Sequence, residues 1–136
     1  MPSGVAATER EGRDATLGTY GAMLTPSLEA ADQLAKEGVE VEVIDLRTLH
    51  PFDKAAIFQS VDRTSRVLIV HEDVKTLGVG AELSAVIMEE RFEHPGETVR
   101  RLTYPDTPCP YYHVLERAKL HGEDVVGAAH RRLSDY

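Results

Sequence analysis

The most constraining feature of this sequence is an uninterrupted apolar run, Val67-Leu68-Ile69-Val70, inside the segment Arg66 to His71. A strand with one face in water alternates apolar and polar residues, whereas a strand covered on both faces does not. The run is therefore typical of the central strand of a parallel sheet. Parallel strands need crossover connections, usually helices, that lie on the faces of the sheet. Together with the alternation of strands and helices along the chain, the run predicts an α/β fold.

Further predicted strands flank this run. Ala15 to Tyr20 is short and rich in β-forming residues, which predicts the first core strand. Val39 to Asp45 alternates valine with glutamate, and period two predicts a strand with one core face and one wetter face. Thr98 to Thr103 predicts a last strand, and we place an edge strand near Val5 to Thr8.

Two predicted helices separate the first three core strands. The first has Thr25 as its cap and Pro26 at its first helical position, where the missing N–H costs nothing. Gly38 ends it, because glycine takes a left-handed conformation cheaply. Pro51 and Asp53 open the second helix.

Two more helices complete the predicted pattern. One runs from Gly80 to Phe92 and the last from Glu123 to Leu133. Alternating strands and helices predict a three-layer α/β sandwich, with a mostly parallel five-stranded sheet and helices on both faces. We expect residues 1–13 to be a connecting segment and residues 14–136 to be one domain.

Composition excludes several function classes. The chain has 15 Lys and Arg against 23 Asp and Glu, a net charge of −8, which argues against a nucleic-acid ligand. The single cysteine, Cys109, cannot form an intrachain disulfide and favours a reducing compartment. Met1 to Arg13 lacks the pattern of a signal peptide, and no apolar run reaches the ~18 residues of a membrane span. We expect a cytoplasmic protein, in the bacterial cytosol or the mitochondrial matrix.

No catalytic or metal-binding pattern is found in the sequence. None of the six histidines pairs with another, or with the cysteine, at zinc-site spacing. Cys109 lies between two prolines without an evident activating base, so a packed loop thiol is favoured over a nucleophile. The prediction is that this chain holds no catalytic residue, metal or cofactor.

The strand ends carry the remaining candidates, since ligands of parallel sheets bind at the carboxyl ends of the strands. His71-Glu72-Asp73 follows the central strand and could orient a partner or transfer a proton; the alternative is a polar cap bonded to the backbone. Asp45 and Arg47 share a strand face, and a structural ion pair is favoured there.

Gly78-Val79-Gly80 precedes a predicted helix and offers a possible anion site at its N–H groups. Leu83 stands where a dinucleotide fingerprint needs a third glycine. We favour the alternative, in which Gly78 and Gly80 let the helix approach the sheet closely.

Taken together, four stretches resemble the transketolase C-terminal domain family, in the form found in the beta subunit of the first component of 2-oxoacid dehydrogenases (pyruvate and branched-chain types). The resemblance covers Gly4 to Tyr136, and its stretches agree in order and spacing. They are Glu11 to Leu17 with Thr19-Tyr20-Gly21, Asp45 to Asp53, Arg66 to Glu72, and Asp106 to Pro110.

The resemblance implies the α/β fold already predicted and a thiamine-diphosphate- and magnesium-dependent parent enzyme. That enzyme decarboxylates a 2-oxoacid oxidatively and transfers the acyl group to lipoamide, using thiamine-binding domains that lie outside this chain. The C-terminal domain supports self-association and helps to dock the alpha subunit and the lipoyl acyltransferase. By this resemblance the chain is inactive alone.

The signature positions implied by the resemblance share one property: none is a cofactor ligand in the family pattern. They are Asp45, Arg47, Thr48, His71, Glu72 and Asp106. The chain departs from the pattern at Gly18, which predicts a loosened strand, in the approximate glycine loop Lys75 to Gly80, and in Leu115 to Glu123.

Two other interpretations stay open. The chain could be a free-standing module that binds a small anion at the Gly78 to Gly80 helix start and His71. It could also be the C-terminal domain of a transketolase or 1-deoxyxylulose-phosphate synthase, although His71-Glu72 and Asp106-Thr107-Pro108 favour the dehydrogenase form.

Overall fold

In the computed structural model, which describes residues 3–93, 97–106, 127 and 131, five strands form one sheet in the order β1-β3-β2-β4-β5. The strands are β1 (Ala7–Arg10), β2 (Ala15–Thr19), β3 (Val41–Asp45), β4 (Arg66–Val74) and β5 (Thr98–Tyr104). β1 is antiparallel to β3, and all other neighbours are parallel. The predicted five-stranded, mostly parallel sheet is confirmed.

Three helices in the described part of the chain connect the parallel strands. They are α1 (Leu24–Lys36), α2 (Lys54–Thr64) and α3 (Val79–Glu90). α1 packs on one face of the sheet, where Leu34 joins Leu17 and Val43 in one apolar cluster. α2 and α3 cover the other face, in a second cluster. Helices therefore lie on both faces, as predicted.

β4 confirms the interpretation of the apolar run. It lies between β2 and β5, and Val67 to Val70 are buried on both faces. Val67 and Ile69 face α2 and α3, whereas Leu68 and Val70 face α1. The strand continues beyond the predicted end at His71, and its pairing with β5 is irregular between Val70 and Val74.

The predicted starts of the first two helices have different outcomes. Asp53 caps α2 as predicted, and its Oδ1 accepts a hydrogen bond from the Ala56 N–H at 3.1 Å. The prediction that Thr25 caps the first helix is wrong, because a 3₁₀ turn, Gly21–Met23, leads directly into α1 at Leu24. Pro26 stays within the first turn, where its missing N–H would have no partner in any case.

Glu42 corrects the prediction of a wetter face on the third strand. The residue is 3% exposed and lies under α2, where Arg63 pairs with it. Period-two alternation indicates which residues share a face, but it does not show that a crossover helix covers the face on which the glutamates lie.

Gly18 does not loosen β2, so that expectation is wrong. It stays in register with Ile44 on β3 and Ile69 on β4. A methyl group at this position would lie 3.9 Å from Ile57 Cδ1, an ordinary contact distance. The missing side chain is compensated by packing from α2.

Several predictions fall outside the described residues. They concern Cys109, residues 107–110, residues 115–123 and most of the last helix, of which residues 127 and 131 are helical. Within the described ranges, no helix has the length and apolar character needed to cross a membrane.

Candidate functional site

The carboxyl ends of the parallel strands form one edge of the sheet, which we call the carboxyl edge. Thr19 at the end of β2 is level with Asp45 at the end of β3 and with Val70 on β4, which continues to Val74. Tyr20 follows β2, and His71 follows Val70. The register therefore gathers at this edge most of the polar residues singled out in the sequence.

His71 is the innermost group of the carboxyl edge and is fully buried. Its Nε2 lies 3.1 Å from the Gly80 amide nitrogen, and its Nδ1 lies 3.2 Å from the Asp73 amide nitrogen. A neutral imidazole offers one acceptor nitrogen and an imidazolium offers none, so an amide that donates to this ring disfavours its protonation. Burial lowers the pKa of His71, and the Asp73 carboxylate only partly opposes this shift. The ring is therefore held neutral.

Gly78 and Gly80 make room for this ring. A Cβ on Gly80 would lie 2.6 Å from His71 Nε2, and one on Gly78 would lie 2.3 Å from the Val74 carbonyl oxygen. Only glycine lets the start of α3 come this close to β4. The structure thus supports the close-packing role of the glycine loop, and the Gly80 N–H is engaged by His71. Anion binding at this helix start remains a prediction.

Tyr20 is a member of the site that the sequence analysis missed. Its ring stacks on His71, with centroids 5.9 Å apart and planes inclined by 24°. Burial raises the pKa of Tyr20, and the negative charges of Asp73 and Glu72 raise it further. The signals in the sequence were its place at the end of the predicted first core strand and its presence in the resemblance stretch Thr19-Tyr20-Gly21.

Glu72 and Asp73 are exposed at the rim above His71. Asp73 Oδ1 accepts a hydrogen bond from the Val74 N–H at 2.7 Å. The imidazole, which would be the natural proton carrier, is buried and faces backbone amides on both sides. The His71-Glu72-Asp73 cluster therefore has the geometry of a strand-end cap bonded to the backbone.

Asp45, Arg47 and Thr48 form the turn after β3. The Arg47 guanidinium pairs with Asp45 at 3.7 Å, as the favoured interpretation predicted, and with Glu9 at 3.0 Å. Arg47 has a φ of +59°, and the Thr48 N–H donates to the Leu46 carbonyl at 2.6 Å. Thr48 Oγ1 accepts a hydrogen bond from the Gly4 N–H at 3.0 Å. The signature turn therefore holds the N-terminal segment.

Asp106 lies beyond β5 and braces the loop between β4 and α3. Its carboxylate accepts from the Thr76 hydroxyl at 2.5 Å and from the Thr76 N–H at 2.9 Å. These bonds, the hydroxyl first, lower the pKa of the fully exposed Asp106. The structure thus brings Asp106 to the loop that packs on His71, whereas Asp45, Arg47 and Thr48 lie at the neighbouring end of β3.

A depression on the described surface lies elsewhere, at the amino ends of the strands. It has a volume of about 610 Å³, and the Glu42–Arg63 pair contributes to its lining together with Arg13 and Glu40. Within the described residues, no three His, Cys, Asp or Glu side chains converge as a metal site.

Comparison with known proteins gives consistent relatives. Residues 4–125 match the family described as transketolase, C-terminal domain. The chain is 42% identical over 132 residues to the mitochondrial pyruvate dehydrogenase E1 component subunit beta-2 of Oryza sativa subsp. japonica, covering 96% of this chain and 35% of that protein. It is 38% identical over 137 residues to the 2-oxoisovalerate dehydrogenase subunit beta of Bacillus subtilis (strain 168), covering 100% and 42% respectively.

A solved structure supports the same fold. It is described as a split gene transketolase, inactive beta4 tetramer, and it superposes with a TM-score of 0.83 at 28% identity, covering 98% of this chain and 43% of that one. The chain thus spans well under half the length of each protein that it matches here.

Proposed function

Since the chain belongs to the transketolase C-terminal domain family, we propose that it is the C-terminal assembly and partner-docking domain of a thiamine-diphosphate-dependent 2-oxoacid dehydrogenase. The parent enzyme would decarboxylate a 2-oxoacid oxidatively and pass the acyl group to lipoamide. The observation that carries the proposal is the 42% identity to a pyruvate dehydrogenase E1 beta subunit over 96% of this chain.

The geometry of the carboxyl edge supports an assembly role over a catalytic one. His71 is neutral, buried and engaged with backbone amides, so it is poorly placed to exchange a proton with a substrate. The signature residues Arg47, Thr48 and Asp106 bind other parts of this domain. These bonds fix the shape of the edge.

The described residues do not fit thiamine diphosphate with magnesium. Magnesium prefers oxygen ligands around an octahedral site, and no cluster of described carboxylates provides them. At the start of α3 the Gly80 N–H, which a diphosphate would need, is bonded to His71. We therefore propose that the cofactor is bound by the thiamine-binding domains of the parent enzyme.

An assay of the purified chain tests the proposal. With thiamine diphosphate, magnesium and pyruvate or branched 2-oxoacids, we expect no decarboxylation by the chain alone. We expect co-purification with a thiamine-binding alpha or beta partner, and with a lipoyl acyltransferase, when these are co-expressed. Decarboxylation by the purified chain without another subunit would contradict the proposal that the chain alone is inactive.

Self-association is part of the proposal and has its own test. Sedimentation of the chain over a range of concentrations should show a dimer or a larger species. A chain that remains monomeric at high concentration would count against self-association but not against docking to other subunits.

A further inference from the structure

Most of the large apolar side chains exposed in the described part of the chain lie along one edge of the sheet. There are four, and they are Val5, Leu49, Leu77 and Met88. Val5 lies just before β1, Leu49 follows β3 and Leu77 follows β4, so three of the four lie at the carboxyl edge. Met88 is near the end of α3, toward the opposite edge. Single exposed apolar residues are normal, but a cluster at one edge marks an interaction site.

Leu77 is the most exposed of these residues and the most constrained. It is 96% exposed and has a φ of +61°, a left-handed conformation that non-glycine residues rarely adopt. The two residues before Leu77 are bonded to the β5 region, since Thr76 bonds to Asp106 and Arg101 donates to the Lys75 carbonyl at 2.9 Å. Leu77 is therefore held away from the domain by a rigid support, as an anchor side chain would be.

The N-terminal segment reaches the same edge. The Gly4 N–H donates to Thr48 Oγ1 at 3.0 Å, and the Ala6 N–H donates to Asp53 Oδ2 at 3.1 Å. β1 then runs antiparallel to β3, starting with Ala7 opposite Asp45 at the carboxyl end of β3. Polypeptide that leads into Gly4 therefore approaches the domain at the carboxyl edge, beside Val5 and Leu49.

We propose that the carboxyl edge is the docking face for the thiamine-binding domain of the parent subunit, with Leu77 as its anchor and Val5 and Leu49 beside it. This inference rests on the proposed function, and it assigns the partner because the segment that would join the two domains is fixed at this edge. The exposed Glu72, Asp73 and Lys75 border the face. The partner surface should therefore have an apolar centre and a rim that carries charges of both signs.

The experiment uses the Bacillus subtilis 2-oxoisovalerate dehydrogenase beta subunit, carrying this chain in place of the part that it matches. Amide hydrogen exchange is compared between this subunit and the free chain. We expect the amides of residues 75–78 to exchange at least ~10-fold more slowly in the full subunit. Leu77→Ser and Leu49→Ser should each restore part of the fast exchange, whereas the control Met88→Ser should not.

Several outcomes would overturn the inference. Equal exchange at residues 75–78 in both proteins would do so, and so would a Met88→Ser effect as large as that of Leu77→Ser. Protection of these amides in the free chain that increases with its concentration would assign the face to a second copy. In the free chain Leu77→Ser should leave Tm unchanged, and a clear loss would mean that Leu77 packs inside the domain.

These measurements separate the inference from the proposed function. Exchange and Tm need no activity, so a full subunit that protects residues 75–78 but fails to support decarboxylation with its alpha subunit would count against the function alone. An active subunit with unprotected residues would count against the docking face alone.

Discussion

Glu42 and His71 are both buried ionisable side chains on the face of the sheet that α2 and α3 cover, but they are accommodated in different ways. Glu42, at the amino half of β3, has a side chain only 4% exposed, and Arg63 Nη2 contacts both of its oxygens, at 2.6 and 2.8 Å. His71, at the carboxyl half of β4, has backbone amides as its hydrogen-bond partners. One site keeps a charge by supplying an opposite charge, and the other excludes charge.

The difference shows how each edge of the sheet is built. Arg63 is half-exposed and reaches Glu42 from the wall of the open depression, so solvent can approach that ion pair. His71 bonds to the first turn of α3 and fixes the backbone of two elements together. The Glu42 site is therefore stabilised by side chains that can adjust, whereas the His71 site is stabilised by contacts with backbone that cannot.

The largest expected effect is at the glycine against the His71 ring. Gly80→Ala would place a methyl group 2.6 Å from His71 Nε2 and push α3 away from β4. Overpacking and the loss of a buried hydrogen bond together should lower the free energy of unfolding by about 3 kcal/mol. Urea unfolding of Gly80→Ala and of the control Gly18→Ala, whose methyl group has ordinary contacts, checks this. Equal losses in the two variants would contradict the close packing.

The next largest loss of stability is expected at the Glu42–Arg63 ion pair. Arg63→Ala leaves a buried carboxylate without its partner, and we expect a loss of about 2 kcal/mol, less than for a fully buried pair because Arg63 is half-exposed. Lys54→Ala, which breaks the exposed pair with Glu90, is the control and should cost under ~0.5 kcal/mol. If thermal unfolding shows the same loss for both, Arg63 does not stabilise Glu42 as described.

The pH dependence of stability should come from His71, the buried neutral side chain. The pKa of His71 is lowered in the folded state from 6.5, so below that pH the unfolded state binds more protons than the folded state. The contribution of His71 to the free energy of unfolding is therefore fully present above pH 6.5. It decreases as the pH falls below that value, by at most ~1.4 kcal/mol per pH unit.

A comparison of variants isolates this contribution. Unfolding free energies of the wild type and His71→Gln between pH 7.5 and 5 should diverge, with the weaker slope in the variant. The control Gln59→Ala, which changes an exposed side chain without a titratable group, should keep the wild-type slope. A His71→Gln variant with an unchanged slope would contradict a buried neutral imidazole.

The smallest effect concerns the brace at Asp106. Asp106→Asn weakens the bonds to Thr76, so the Thr76 amide should exchange a few-fold faster, while the Gly80 amide, protected by His71, should not change. NMR hydrogen exchange measures both amides in one sample. If the Gly80 amide also exchanges faster, the Asp106–Thr76 bonds and the His71–Gly80 contact open together. The His71–Gly80 contact would then depend on Asp106, contrary to the description above.

The sequence predicts the layers of this fold well because burial leaves a local pattern. Val67 to Val70 identified the central strand, since residues buried on both faces cannot alternate. Asp53 identified the start of α2, because a capping side chain acts within its own turn. Both signals depend on residues that are close in the chain.

The parts that the sequence did not predict depend on long-range packing. Glu42 was expected to be exposed to solvent. Nothing near it in the chain indicates that Arg63, 21 residues away, pairs with it and covers it. The contact between His71 and Gly80, and the stacking of Tyr20 on His71, join different elements for the same reason. The resemblance marked His71 as a signature position, but only the fold shows that its role is to tie α3 to β4.

The place of β2 in the sheet has a consequence for folding. It is the first core strand to be synthesised, yet both of its neighbours, β3 and β4, come later, and its pairing with β4 joins Thr16 to Val67. On the ribosome, β2 must wait for about fifty residues of further synthesis before its second edge is covered. During that interval its buried residues are exposed, and chaperones have their best opportunity to bind this chain.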